Sequence, residues 1–366
     1  MGNQNEWVWL KRISIHLEVN SVCNAMCPMC YDRNYIDDDQ NVKRLENNCN
    51  YQVSFSEFKR WFSNDFFMEH SIKKLTICGT ESEPTLNNDL EKMIKYIKEK
   101  QPSTLIRIST NGSTHNETWW ENFGNNLKQF KKTIQIIVGI DGIGTNHERY
   151  RLNTNYYQII KNMQAFINGG GRAVWQFIVF DHNQEDLNAA KEIALKMGFY
   201  DFIAKYSNYL SREKRRELTF KWKGKTIQLK SSEANELNVK QINTSCNIDC
   251  YSKQMKEIFI SYKGIVYPCS WIKSSLKGSY GLTETENSLN VLKQFSVREA
   301  SIHQKGINDI LNDKSKWLDL QESWEDVSTS PKVCDLYCGK RQHETQCYFD
   351  IASKENEGPE RQDKIN

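Results

Sequence analysis

The 366-residue chain carries 49 basic and 46 acidic residues, a net charge of +3, which excludes the global positive field needed for non-specific binding of nucleic acid or anionic membrane. No apolar run approaches the ~20 residues of a membrane helix, and the opening Met1-Gly2-Asn3-Gln4-Asn5-Glu6 has neither the basic nor the apolar region of a signal peptide, so a cytoplasmic location is expected. Eleven cysteines in such a chain point to metal rather than disulfides, and they are clustered, with three at 23–30 and six between 246 and 347.

The first apolar alternation predicts a strand over Arg12–Val19, and directly behind it stands Cys23-Asn24-Ala25-Met26-Cys27-Pro28-Met29-Cys30-Tyr31. The spacing C-x3-C-x2-C puts three soft thiolates on one short loop. Such a loop can hold an iron–sulfur cluster by three corners and leave one iron open to a substrate or cofactor. A structural zinc site would want a fourth ligand, and the nearest later cysteine, Cys49, lies in a polar stretch.

Further strands are expected at Lys73–Cys78, Leu105–Thr110, Thr133–Ile140, Ala173–Phe180 and Tyr200–Lys205. Amphipathic helices are expected near Ser54–Phe67, Asn88–Glu99, Glu117–Leu127, Tyr156–Ile167 and Glu185–Met197. This alternation implies an α/β chain with a parallel sheet of βαβ units, closing into an open, partial (β/α)6 TIM-like barrel over residues 1–206. Sites in such barrels sit at the C-terminal strand ends. Those ends carry Cys78-Gly79-Thr80-Glu81-Ser82-Glu83-Pro84, Ser109-Thr110-Asn111-Gly112, Asp141-Gly142-Ile143-Gly144 with His147 to Arg151 behind it, and Asp181-His182-Asn183. The glycines at 139, 142 and 144 are not in the order G-x-G-x-x-G, and no helix is expected to open directly behind them, which rejects a dinucleotide fold.

Residues 207–245 break the alternation with a basic, aromatic-interleaved stretch, read as a linker with a small hairpin around Lys223-Gly224-Lys225. A second hairpin is expected where Ile258 to Tyr262 turns at Lys263-Gly264 into Ile265-Val266-Tyr267, folding Cys269 back towards Cys250. Cys334 and Cys338, at C-x3-C spacing, complete a four-thiolate set that suits zinc and an iron–sulfur cluster equally. Residues 246–348 are therefore expected as a small α+β cysteine-rich domain, with helical cover near Val291–Phe295 and Ile307–Leu311, and 349–366 as a disordered polar tail.

The triad loop with its following aromatic residue resembles the signature of the radical S-adenosylmethionine (SAM) superfamily, and C-x13-G-x4-C from Cys250 to Cys269 resembles the opening of SPASM and twitch domains. The resemblance spans roughly residues 12–347. It implies a [4Fe–4S] cluster on Cys23, Cys27 and Cys30 that binds and reductively cleaves SAM, with Tyr31 packed near the adenine. It further implies Glu83 as acceptor for the SAM ammonium, Asn111 and Asp141 for ribose, Arg151 for the SAM carboxylate and Asn183 for adenine or ribose. The family's Gly-Gly-Glu-Pro stands here as Glu81-Ser82-Glu83-Pro84, with both glycines replaced. An auxiliary [4Fe–4S] cluster would sit on Cys250, Cys269, Cys334 and Cys338, with Cys246 and Cys347 as alternates.

The expected activity is hydrogen abstraction by a 5′-deoxyadenosyl radical, leading to oxidation or cross-linking of a peptide or small polar molecule. A flavodoxin- or ferredoxin-like protein is expected as reductant. The alternatives are a nucleotide- or nucleic-acid-modifying enzyme, which the basic linker favours, or a non-catalytic iron–sulfur or zinc protein. No peptide-recognition segment is legible before residue 12.

Overall fold

Strand-forming runs rich in Ile and Val recur between amphipathic helices, and in the computed structural model they assemble into one eight-stranded sheet. Residues 12–30, 32–45, 50–207, 217–232, 248–278, 284–295, 298–326 and 328–339 are described. The barrel strands are β1 (Arg12–Leu17), β4 (Ser71–Ile77), β5 (Leu105–Thr110), β6 (Ile134–Gly139), β7 (Ala173–Val179) and β8 (Asp201–Tyr206). They pair in chain order and parallel. A sheet wound in one direction without reversal is a barrel-type winding, and here it stays open with β8 at one edge.

Helices α3 (Leu90–Lys100), α4 (Glu117–Leu127), α6 (Tyr156–Asn168) and α7 (Leu187–Met197) connect successive strands and bury one face each. On the covered face alternate strand positions are apolar and fully buried: Ile13, Ile15, Leu17, Leu75, Ile77, Ile108, Ile136, Val138 and Phe177. The helix expected over Ser54–Phe67 is instead two helices, α1 (Phe55–Trp61) and α2 (Asn64–Glu69). Ser63 explains the break: its hydroxyl accepts from the Phe66 backbone N–H at 3.3 Å and caps the second helix rather than continuing the first.

Behind the Asp141-Gly-Ile-Gly segment a short helix does open, α5 (Thr145–Tyr150), against expectation. Gly144 makes the entry with φ of 56°, and the helix is held by burying His147 and Tyr150, a single i,i+3 pair too short to register as periodicity.

Two features outside the barrel pattern shape the site. The residues after the cysteine loop form a small antiparallel ribbon, β2 (Asn34–Ile36) with β3 (Val42–Arg44), which has no counterpart in the sequence reading. The basic stretch forms the expected hairpin, β9 (Glu217–Trp222) with β10 (Lys225–Lys230).

The cysteine-rich segment is not a separate sheet. Its hairpin, β11 (Glu257–Ile260) with β12 (Val266–Tyr267), extends the barrel sheet by pairing β11 parallel to β1, Ser14 opposite Glu257 through Leu17 opposite Ile260. An edge strand as apolar as β1 would expose a row of unpaired backbone groups, and β11 satisfies them. Ile258, Trp317, Leu320 and Cys334 belong to the same apolar core as Ile13 and Leu75, so the sheet and the core both cross the boundary drawn at residue 246. Among the described residues no helix is long and apolar enough to cross a membrane.

Candidate active site

The loop that follows β1 is built by backbone carbonyls that receive side-chain donors. Asn20 sets its start: its amide donates to the Glu83 carbonyl at 2.9 Å and its oxygen accepts from Val22 N at 3.1 Å. Arg33, 3% exposed, donates to the carbonyls of Ser21, Glu81 (3.0 Å) and Cys23 (3.3 Å). Arg44 donates to the carbonyls of Cys23 at 2.6 Å and Ala25 at 3.0 Å. Asn34 donates to the Cys27 carbonyl at 3.0 Å. The β2–β3 ribbon, which supplies Asn34 and Arg44, is thus the clamp that shapes the loop.

All three thiols are free and gathered in this loop. Burial pushes Cys23 up to about 12, with Glu83 and Cys27 adding to it. Burial likewise raises Cys27, against the pull of Arg151, and raises Cys30 well above its ordinary range, reinforced by Cys27 and Cys23. Three thiols crowded at low dielectric ionise together only around a strongly cationic group, and three soft donors suit iron and sulfide. The donor set therefore fits a cluster held by Cys23, Cys27 and Cys30. Tyr31 lies outside the described residues.

The strand-end residues converge on the same loop. Glu83 is 2% exposed, and its carboxylate accepts from Thr85 N at 3.2 Å, Thr85 Oγ1 at 2.7 Å, Thr110 Oγ1 at 2.6 Å and Asn111 N at 2.7 Å. Burial still raises its pKa above the ordinary carboxylate value, because desolvation outweighs these donors. Three of the four bonds fall on Oε1, which leaves Oε2 with the single bond from Asn111. Asn111 faces the cysteines, with its amide 3.8 Å from Cys23 Sγ and 2.8 Å from Asn24 Oδ1.

Asp141 and Arg151 are joined to each other. Arg151 Nε donates to Asp141 Oδ2 at 2.6 Å, and Ile178 N donates to Asp141 Oδ1 at 2.6 Å. Arg151 is held above its ordinary range: burial pulls it down, and the nearby Asp141 and Cys27 more than reverse that. Asn183 is fully buried and spent on the backbone: it accepts from Phe180 N at 2.7 Å and donates to the carbonyls of Asp141 (3.1 Å) and Ile178 (2.9 Å). Both amide hydrogens are used, so the structure makes Asn183 the tie between the ends of β6 and β7 and offers a nucleoside no donor there.

The second thiol set surrounds a cavity. Cys250 precedes the helix Tyr251–Met255, Cys269 caps the helix Ser270–Leu276, and Cys334 and Cys338 lie one turn apart on the helix Lys332–Cys338. All four line one cavity walled by Trp271, Trp324 and Tyr337, with Trp271 and Tyr337 stacked at 4.8 Å. Burial pushes Cys269 up to about 12 and raises Cys334 well above its ordinary range, while a hydrogen bond with Cys338 leads the same shift in Cys250. Cys246 and Cys347 lie outside the described residues.

No family model and no curated protein matches the chain. Solved structures do. SuiB of Streptococcus suis, solved with S-adenosylmethionine and with its precursor peptide SuiA, superposes with a TM-score of 0.50 at 12% identity, over 88% of this chain. The overlap takes in 77% of SuiB in the former structure and 76% in the latter. The protein anSMEcpe, solved with AdoMet and the Cp18Cys peptide, superposes with a TM-score of 0.52 at 12% identity, over 92% of this chain and 93% of that one. The chain shares the fold of these two proteins.

Within that fold, sequence reasoning missed the residues that join the two thiol sets. Lys273, on the helix capped by Cys269, reaches Glu18 (3.4 Å), Asp32 (3.2 Å) and Glu81 (2.5 Å) at the ends of β1 and β4. The same region carries Thr80, whose carbonyl accepts from Cys30 Sγ at 3.3 Å. The only signal was Lys273 and Lys277 four residues apart, together with an unexplained acid at Glu81.

Proposed function

We propose that this protein is a radical SAM oxidoreductase acting on a peptide. The observation that carries the reading is the convergence of Cys23, Cys27 and Cys30 with Glu83, Asn111 and Arg151 at the C-terminal strand ends of a radical SAM fold. When bound, a [4Fe–4S] cluster supplies the electron that cleaves SAM to methionine and a 5′-deoxyadenosyl radical.

The chain's own residues bind and orient. Cys23, Cys27 and Cys30 would hold the cluster. Glu83 offers its Oε2 to the SAM ammonium, and Asn111 stands beside Cys23 to meet the ribose. Arg151, oriented through its Nε by Asp141 and lying beside Cys27, would offer a guanidinium donor to the SAM carboxylate. Cys250, Cys269, Cys334 and Cys338 hold a second cluster in their cavity. A closed four-thiolate set suits electron relay, and hence a net oxidation of substrate. The bound peptides of SuiB and anSMEcpe support the peptide class.

The test is anaerobic reconstitution, addition of SAM and dithionite, and assay for 5′-deoxyadenosine. Wild type is expected to release it, Cys27→Ala to release none, and Cys334→Ala to retain it. Absence of 5′-deoxyadenosine from wild type carrying a reduced cluster would overturn the proposal.

A further inference from the structure

The Lys273 junction is a buried ionic node of unusual composition. Glu18 and Glu81 are fully buried and Asp32 is 6% exposed. Lys273, 2% exposed, is the cation shared by all three. Thr80 donates to Glu18 Oε1 through its backbone N–H at 2.8 Å and its hydroxyl at 2.9 Å, and Ser274 donates to Asp32 Oδ2 at 2.5 Å. The second cation on Glu81 is Lys277, whose ammonium meets the same Oε1 that Lys273 uses.

Lys277 differs from its neighbours in one respect: its side chain is 38% exposed while Glu81 is fully enclosed. An ammonium on a flexible four-carbon stem therefore enters the node from solvent. Lys273 faces all three carboxylates and Lys277 faces Glu81, whereas Arg33 donates to the Glu81 backbone carbonyl, so Lys277 is the second ammonium on this acidic group. Withdrawal of Lys277 would leave Lys273 alone against three carboxylates at low dielectric, which is costly. Moreover, Glu18 Oε2 and Glu81 Oε2 are buried with no hydrogen-bond partner, two acceptors that a second N–H donor could satisfy. Lys273 occupies the space between these carboxylates, so the node is not an open cation site.

We infer that this node is a subsite for an ammonium group of the substrate, and that Lys277 holds its place until the substrate displaces it. The inference deepens the radical SAM reading and rests on it for the word substrate. The node lies beside Cys30 through Thr80, so an ammonium seated on Glu81 and Glu18 anchors the peptide next to the cluster loop. The ammonium comes from a lysine side chain or from a peptide N-terminus, and the chemistry of recognition is the same.

The experiment is anaerobic calorimetric titration of the reconstituted protein, without reductant. Three probes are used: N-acetyl-lysine methylamide, norleucine methylamide with a free α-amino group, and N-acetyl-norleucine methylamide, which has no ammonium. The Lys277→Ala variant is expected to bind one or both ammonium probes about tenfold more tightly than wild type, because a competitor has been removed. The N-acetyl-norleucine probe is expected not to bind. Glu81→Gln in the Lys277→Ala background is expected to abolish binding, with Glu18→Gln as the second variant should Glu81→Gln lose its iron. Which ammonium probe binds identifies the source. Equal binding of all three probes, no binding to Lys277→Ala, or full retention in both Gln variants overturns the inference. The titration uses no SAM cleavage, so its failure and a failure to form 5′-deoxyadenosine are read separately.

Discussion

Arg33→Met tests the clamp on the cluster loop. The guanidinium is 3% exposed and is the donor to the Ser21 carbonyl and, at 3.0 Å, to that of Glu81. Its third bond, to the Cys23 carbonyl, is long at 3.3 Å, and that oxygen keeps Arg44 at 2.6 Å, so its loss adds little. Hydrogen bonds from a charged donor contribute about 1.5–3 kcal/mol each, so losing two costs about 3–6 kcal/mol. Methionine fills much of the arginine stem's volume and leaves the polar loss exposed to measurement. Against a typical stability of about 5–15 kcal/mol, the variant is marginal.

The two assays are guanidinium unfolding and iron content after anaerobic reconstitution. The unfolding midpoint is expected to fall accordingly. Iron is expected to drop from about eight to about four per chain, since the auxiliary thiols lie on other elements. Arg33→Lys is expected to recover less than half, because an ammonium cannot span the separate carbonyls that the fork reaches. A full iron complement with less than about 1 kcal/mol of destabilisation would refute the clamp.

Helices α4 and α6 meet at Gly124, where an added methyl would stand 2.3 Å from the Phe166 carbonyl oxygen. Gly124→Ala is accordingly expected to cost about 3 kcal/mol by denaturant unfolding, and a neutral result would show that the helices can separate. Burial holds His147 down at about 3, with Arg151 adding to it, while an unfolded histidine titrates at its ordinary 6.5. The unfolded chain therefore takes up the proton first, and His147 weakens the fold as pH drops below 6.5. Between pH 7 and pH 5 wild type should lose about 2 kcal/mol more than His147→Asn, which keeps an acceptor for Asp141 N. Equal losses would remove His147 from the account. Cys27→Ala and Cys334→Ala should separate in the cleavage assay as described above, and equal loss in both would contradict the division of labour between the thiol sets.

Legibility was highest where chemistry or pattern is local. The spacing of Cys23, Cys27 and Cys30 is a short-range feature, and the alternation of β5 and the stripe of α4 were readable to the residue. It failed where a side chain's partner is remote. Asp141 and Arg151 lie ten residues apart in sequence, and their pairing with each other is legible in neither local segment. A turn asparagine such as Asn183 looks the same in sequence whether it ties backbone or meets a ligand. Lys273 reaches Glu81 across 192 residues, and no local pattern announces such a contact.

The sequence by itself determined the thiol loop, the βαβ succession and the second cysteine set, because periodicity and ligand spacing are properties of neighbouring residues. The tertiary structure decided how those parts meet. Pairing of β11 on β1 brings the helix behind Cys269 against the ends of β1 and β4, and only there do Glu18, Asp32, Glu81, Lys273 and Lys277 become one buried group. The physical reason is that burying charges demands compensation from whichever element packs nearest, and that neighbour is chosen by the fold rather than by the local sequence.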